Sequence, residues 1–392
     1  MKPRKIKDKI YWMGYEDWDA RLFDSLIPLP DGTSYNAFLI EGSEKTVLID
    51  TVEPQFSDDL MAQLENVSKL DYVISLHAEQ DHSGSIPQVL SKYPDAKLIT
   101  SQRAKTMLMD LLHISEETFK TVDDGEILSL GDKTLEFIYT PWVHWPETMV
   151  AYLKEDKILF SCDFFGAHIA SSELYVTDET RIYEAAKRYY AEIMMPFGNI
   201  IKKNLEKIAP YDIEIIAPSH GQIYLQPSFI IDAYKEWIEG PPKNLVVLPY
   251  ISMHNSTKKM VDYFVASLVE KGVNVEQFNL TVTDIGKLAM ALVDAGTIVI
   301  GTPTILAGPH PNVVYGAYLA NALRPKAKFL SIIGSYGWRG KAVEVLAGMI
   351  PNLKVEVIEP VLAKGLPSEA DYKALENLAK TISTKHKELG FK

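Results

Sequence analysis

The 392-residue chain contains a single cysteine, Cys162. This excludes an intrachain disulfide, and it excludes an iron site made of four thiolates from this chain alone. A redox function would therefore need electrons from elsewhere. Uninterrupted apolar runs of about 18 residues are missing, so no transmembrane helix is expected. The basic segment 1–9 is not followed by the apolar stretch of a secretory leader. The expectation is a cytoplasmic protein. No Lys/Arg block offsets the net charge of -12, so a polyphosphate partner would meet repulsion and nucleic-acid binding is not expected. Internal repeats and low-complexity tracts are also absent.

What is present is enough apolar material, 47% of the residues, for two ordinary domains. Gly240-Pro241-Pro242-Lys243 is the predicted linker, because paired prolines stop regular structure and a new periodicity starts directly after them. The predicted domains are 1–243 and 244–392. In the first, strands are predicted at 35–40, 46–50, 71–76, 134–140, 148–153 and 158–163, and a helical stretch at 182–208 with a break near Pro196 and Gly198. In the second, short apolar runs at 245–248, 297–301, 329–334 and 354–359 alternate with helical stretches and a last helix near 369–390. That rhythm predicts a doubly wound parallel sheet with helices on both faces.

The sharpest chemical feature is His77-Ala78-Glu79-Gln80-Asp81-His82, directly after the apolar run 71–76. Three more predicted strand ends each bring a ligand-type residue: His144, Asp163 and His220. Any one of these would ordinarily be a polar residue satisfied by nearby backbone. Together they supply two sets of imidazole plus carboxylate, and one carboxylate able to bridge two cations and screen their repulsion. His168, in the run DFFGAH, and Tyr190 are candidate proton donors beside such a site.

In the C-terminal half, Ser252-Met253-His254-Asn255-Ser256-Thr257 leads from a strand into a helix, where backbone N–H groups and hydroxyls can receive a phosphate. Taken alone, the segment is equally an N-cap. Two more loops lie at carboxyl ends of strands in the same sheet. Pro303, Thr304, Ile305, Leu306, Ala307 and Gly308 form one; Ser335, Tyr336, Gly337 and Trp338 form the other. Ligands of open α/β sheets bind at such a place.

His77-x-Glu79-x-Asp81-His82, His144, Asp163 and His220 resemble the ligand signature of the metallo-β-lactamase superfamily, and more narrowly its flavodiiron branch. The three C-terminal loops resemble those of flavodoxin. The resemblance spans both halves in the same order. It implies a metallo-β-lactamase-like αββα sandwich (α+β) followed by a flavodoxin-like α/β domain that binds FMN. It further implies one iron on His77, Glu79 and His144, a second on Asp81, His82 and His220, and Asp163 between them. The implied activity is reduction of dioxygen to water, of nitric oxide to nitrous oxide, or both. The implied assembly is a head-to-tail homodimer or a dimer of dimers, fed by rubredoxin, a flavin reductase or a reduced deazaflavin coenzyme. The alternative is a binuclear zinc hydrolase with an accessory flavodoxin-like domain. Glu79 stands against it, because the hydrolases carry histidine there and an anionic oxygen suits oxidised iron better than zinc. His113, His310 and His386 read as ordinary surface or helix residues, and Cys162 as core.

Overall fold

The computed structural model describes residues 2–338 and 340–391. Two compact units emerge. Residues up to 190, together with 197–238, form the first; 191–196 and the residues from 239 onward form the second.

The first unit is a sandwich of two sheets. One runs in the order Arg4–Lys7, Ile10–Trp12, Phe38–Glu41, Thr46–Ile49, Tyr72–Ile74, Lys97–Ser101, Phe119–Val122. The other runs Ile127–Ser129, Thr134–Tyr139, Met149–Leu153, Ile158–Cys162, Ile215–Pro218. Strand alternation sorts the apolar residues into two cores. Phe38, Ile40, Val47 and Ile49 of the first sheet meet Phe137, Ala151 and Phe160 of the second. Their neighbours Leu39, Leu48, Val73 and Leu98 instead join Leu60, Ile86, Val89 and Leu108 from helices Ser57–Gln63, Ile86–Lys92 and Gln102–Leu112. At about 1.5–3 kcal/mol for each large side chain fully buried, these two layers supply most of what holds the unit together.

The second unit is a parallel sheet in the order Asn274–Asn279, Leu245–Tyr250, Thr297–Ile305, Phe329–Tyr336, with Glu356–Val357 and Val361–Lys364 both pairing with the last. This is the doubly wound flavodoxin-like order. Its three central strands, Leu245–Tyr250, Thr297–Ile305 and Phe329–Tyr336, are buried on both faces, as the continuous apolar run LVVLPY requires. Helices Ser256–Glu270 and Glu369–Glu388 pack together over one face through Met260, Phe264, Leu268, Leu375 and Ile382.

Two local expectations need correction. The run 35–40 is not one strand: it breaks after Thr33–Tyr35, which pairs with Tyr15–Asp17, and resumes at Phe38. The break is held by Asn36, whose amide donates to the carbonyls of Pro218 and Gly221, both at 2.8 Å, and accepts from the Trp12 indole at 2.8 Å. Of the two readings of His386, the helix one holds, within Glu369–Glu388, and the surface one is corrected. The residue is 1% exposed, and its ring bonds Thr297 Oγ1 at 2.6 Å and Asn244 Oδ1 at 2.9 Å.

Candidate metal centre

Ligand-type residues collect at strand ends on one side of the sandwich. His77 and Glu79 follow Tyr72–Ile74, and Asp81 and His82 sit in the short helix Gln80–Ser83. His144 lies between Thr134–Tyr139 and Met149–Leu153, Asp163 follows Ile158–Cys162, and His220 follows Ile215–Pro218. A register shift just before Asp163, with Cys162 at φ +53°, turns the chain there. Such bulges re-aim side chains at strand ends.

All seven residues come together. The Nε2 atoms of His77 and His144 lie 3.1 and 3.2 Å from Glu79 Oε2, and each lies 3.5 Å from Asp163 Oδ2. On the other side, the Nε2 atoms of His82 and His220 lie 3.2 and 3.5 Å from Asp163 Oδ1. They also lie 3.4 and 3.1 Å from the two Asp81 oxygens. In each set the donor atoms fall within 4.8 Å of one another. Thus each Asp163 oxygen faces one pair of imidazoles.

The donor set fits cations. Both Asp81 oxygens and Asp163 Oδ2 are buried without a hydrogen-bond partner. Buried carboxylates stay charged only when a positive charge answers them. His77 and His82 answer here by holding protons. Burial works against protonation of His77, yet its bonds to Glu147 and Glu79 and the Asp163 charge keep its pKa well above the usual value. Burial likewise opposes His82, but Asp163 and Asp81 raise it to about 10. The same contacts overcome burial and hold Asp163 and Glu79 well below the ordinary carboxylate range. A metal ion would displace those protons and take the same charges.

The far side of each ring is fixed as a ligand requires. His220 Nδ1–H donates to the Ser34 carbonyl at 2.6 Å, which leaves Nε2 the lone pair. His77 Nδ1–H donates to Glu147 at 2.7 Å, and Glu147 also accepts from the Ala78 N–H at 3.1 Å. Such outer carboxylates fix tautomer and ring angle. The Asp50 carboxylate, 1% exposed and at φ +52°, accepts from Leu76 N–H at 2.8 Å and closes a third buried group with His82 and Cys162. Burial pushes Asp50 up to about 6 against the pull of His82.

His168 is beside the cluster, its ring 5.0 Å from that of His220. Its Nδ1 pairs with Thr33 Oγ1 at 2.9 Å, its Nε2 has no hydrogen-bond partner, and burial holds it well below the usual pKa, hence neutral. Phe23, from the hairpin of Leu22–Phe23 with Ile27–Pro28, covers it at 4.8 Å.

Tyr190 is not at the site: its ring packs on Tyr234 at 5.4 Å and Trp237 at 5.3 Å. Its neighbour Tyr189 is, with its hydroxyl donating to Asp163 Oδ1 at 2.8 Å. Burial and the Asp163 charge raise the Tyr189 pKa well above the usual value, so it remains a phenol. Helical spacing carries this distinction. Ile182, Ala185, Ala186 and Tyr189 form the buried stripe of Glu179–Tyr189, and Tyr190 points one residue further round. Glu147 carried a fainter signal, lying three residues past His144.

In the second unit, the three predicted loops meet around a cavity of about 160 Å³. Ser252, Met253, His254, Ser256, Thr257, Pro303, Thr304, Ser335, Tyr336 and Gly337 line it, with Gly365 added from the loop after Val361–Lys364. Ser252 Oγ accepts from Lys258 N–H at the start of helix Ser256–Glu270, and Thr257 Oγ1 bonds Ser335 Oγ. Asn255 does not line the cavity but starts that helix at φ +66°. Ile305, Leu306, Ala307, Gly308 and Trp338 lie outside the lining. Leu306 and Ala307, at φ +50° and +61°, form the tight turn joining Thr304-Ile305 to Gly308–Pro309, and Leu306 and Trp338 are 94% and 83% exposed.

A family model described as "ODP family beta lactamase" matches residues 33–221. The chain is 38% identical over 366 residues to a nitric oxide reductase of Moorella thermoacetica, covering 91% of this chain and 92% of that one. Among solved structures it matches the rubredoxin oxygen:oxidoreductase of Desulfovibrio gigas with a TM-score of 0.95 at 32% identity, over 99% of each chain. It also matches the flavodiiron protein of Giardia intestinalis with a TM-score of 0.90 at 25% identity, over 98% of this chain and 97% of that one.

Proposed function

This chain belongs to the flavodiiron family of oxidoreductases, and from that premise we propose that residues 1–243 are its diiron domain and 244–392 its FMN domain. His77, Glu79 and His144 would hold one iron, Asp81, His82 and His220 the other, and Asp163 would bridge them. One observation carries this reading: the two Asp163 oxygens each face a separate pair of imidazole Nε2 atoms at 3.2–3.5 Å. When bound, the metals and the flavin supply the electron transfer and the reduction of a diatomic gas. The proposed reactions are dioxygen to water, nitric oxide to nitrous oxide, or both, in line with relatives named for each.

The chain's own side chains set the conditions. Ser34 and Glu147 hold His220 and His77 in the ligand tautomer. The Tyr189 phenol fixes the angle of Asp163. Neutral His168, with an unpaired Nε2, is the proposed proton-handling residue. Glu79, whose Oε2 lies between two imidazoles, supplies the anionic oxygen that favours iron over a zinc hydrolase. Ser252, Ser256 and Thr257, with the helix N-terminus, would receive the FMN phosphate.

Among the described residues no helix is long and apolar enough to cross a membrane, and a cytoplasmic location is proposed. A head-to-tail homodimer, or a dimer of such dimers, would bring one subunit's flavin to the other's metals. Rubredoxin, a flavin reductase or a reduced deazaflavin would be the donor. Replacing His144 or His220 by alanine is expected to lower iron content and abolish gas consumption while leaving bound FMN. Full turnover by iron-depleted protein, or zinc-dependent hydrolysis without gas reduction, would overturn the assignment.

A further inference from the structure

Behind the metal centre, away from its open side, the first unit holds a continuous group of tyrosines and a tryptophan. Tyr189 donates its hydroxyl to Asp163 at 2.8 Å. Tyr234 packs on the two residues that follow Asp163, its ring 5.6 Å from that of Phe164 and 5.0 Å from that of Phe165. From Tyr234 the rings continue at contact distance, 5.2 Å to Trp237 and then 5.3 Å to Tyr183. Tyr190 touches both Tyr234 and Trp237. The Trp237 indole N–H donates to the Tyr183 hydroxyl at 3.0 Å. Tyr189, Tyr234 and Trp237 are at most 1% exposed, whereas Tyr183 is half-buried and reaches the surface.

Packing alone does not ask for this composition. A phenylalanine would fill the place of Tyr234, whose hydroxyl is buried without a hydrogen-bond partner, and would avoid desolvating that group. Tyrosine and tryptophan differ from phenylalanine in another way: each gives up one electron far more readily. Rings in contact pass an electron quickly, because tunnelling falls off exponentially with the gap between them.

We propose that Tyr183, Trp237 and Tyr234, with Phe164 leading from Tyr234 to Asp163, form an electron path from the surface to the metal site, which would quench the centre when it has met dioxygen with too few electrons. The inference rests on the diiron reading above. One electron leaves the Tyr183 phenol, whose O–H proton passes to bulk water, and moves inward by way of Trp237 and Tyr234, across Phe164 to Asp163. It would be delivered to the metals that the seven ligand residues would hold. The Tyr183 phenoxyl then takes a hydrogen atom from an external thiol, restoring its O–H, and two resulting thiyl radicals couple to a disulfide. The histidine ligands are spared the oxidation they would otherwise undergo.

The test uses iron-loaded, reduced full-length protein mixed with dioxygen without an electron donor and frozen at intervals for electron paramagnetic resonance. Ligand oxidation and retained iron are then measured by peptide mass spectrometry and metal analysis after repeated cycles. The wild type is expected to show a tyrosyl radical that decays faster with added thiol. Tyr183→Phe and Trp237→Phe are expected to lose or relocate that radical, and to suffer several-fold more oxidation at His77, His82, His144 and His220 per cycle, with steady-state turnover unchanged. Tyr183 sits at the rim, so its variant keeps the test available if Trp237→Phe fails to fold. Normal oxygen consumption with no protein radical, and equal ligand damage in wild type and Tyr183→Phe, would overturn the path alone. Iron-loaded protein that consumes no dioxygen would overturn the path, and if it reduces no nitric oxide either, the diiron reading falls with it.

Discussion

Single atoms decide much at this centre. Glu147 touches no candidate metal position, yet it holds His77 Nδ1–H and the Ala78 N–H at once. Glu147→Gln keeps the shape but loses the charge-assisted bond, so iron affinity should fall by about 10–100-fold, read by competition with a chelator. No change in affinity would mean that His77 is oriented by other contacts. At Tyr189, removal of the hydroxyl with Tyr189→Phe frees Asp163 Oδ1 from a 2.8 Å bond. The expected result is altered exchange coupling between the irons, seen by Mössbauer spectroscopy, with iron content retained. His386 makes a separate prediction in the second unit. Burial lowers its pKa from 6.5 to about 4, so the unfolded state binds the proton more readily than the folded state does. Its contribution is therefore complete above pH 6.5 and lost as pH falls toward 4. The urea midpoint of the second unit should drop over that window in wild type and drop less in His386→Asn.

Elements show where sequence reasoning succeeds and where it stops. The alternation in Leu245–Tyr250, Thr297–Ile305 and Phe329–Tyr336 is legible because strands buried on both faces leave continuous apolar runs. The ligand motif is legible because four ligand-type side chains crowd into six positions. The break at Asn36 is not, since its partners Trp12, Pro218 and Gly221 are remote in sequence. For the same reason the roles of Glu147 and Asp50 are not legible. Tyr189, by contrast, is legible from helical phase, since it continues the stripe Ile182, Ala185, Ala186. The Leu306-Ala307 turn offers a test at this scale. Both residues occupy the left-handed region that suits Asn-Gly, which strains an alanine by about 1 kcal/mol. Ala307→Gly should therefore raise the urea midpoint of this unit. An unchanged or lower midpoint would show that the strain is relieved elsewhere.

Across the molecule, charge is divided unevenly. The first unit gathers three carboxylates and four imidazoles at one point, whereas the second lines its cavity with hydroxyl side chains, glycines, Pro303, Met253 and His254, and with no carboxylate. Removing metal should therefore weaken the first unit selectively. Calorimetry with and without an iron chelator is expected to lower one transition and leave the other. The difference approaches about 4 kcal/mol when free metal stands a thousandfold above its dissociation constant. Equal lowering of both transitions would mean that the units do not melt separately.

Glu79 and His144 keep 12% and 14% of their side chains exposed, while Asp81, His82 and His220 keep at most 4%. The two positions therefore differ as doorways. Given a pulse of isotopically enriched iron, label should enter beside Glu79 first and reach the inner position only later. Intermediate samples would be hybrids carrying old metal inside and new metal outside. A chemist could use that lag to prepare a defined heterobimetallic protein without mutating a single ligand.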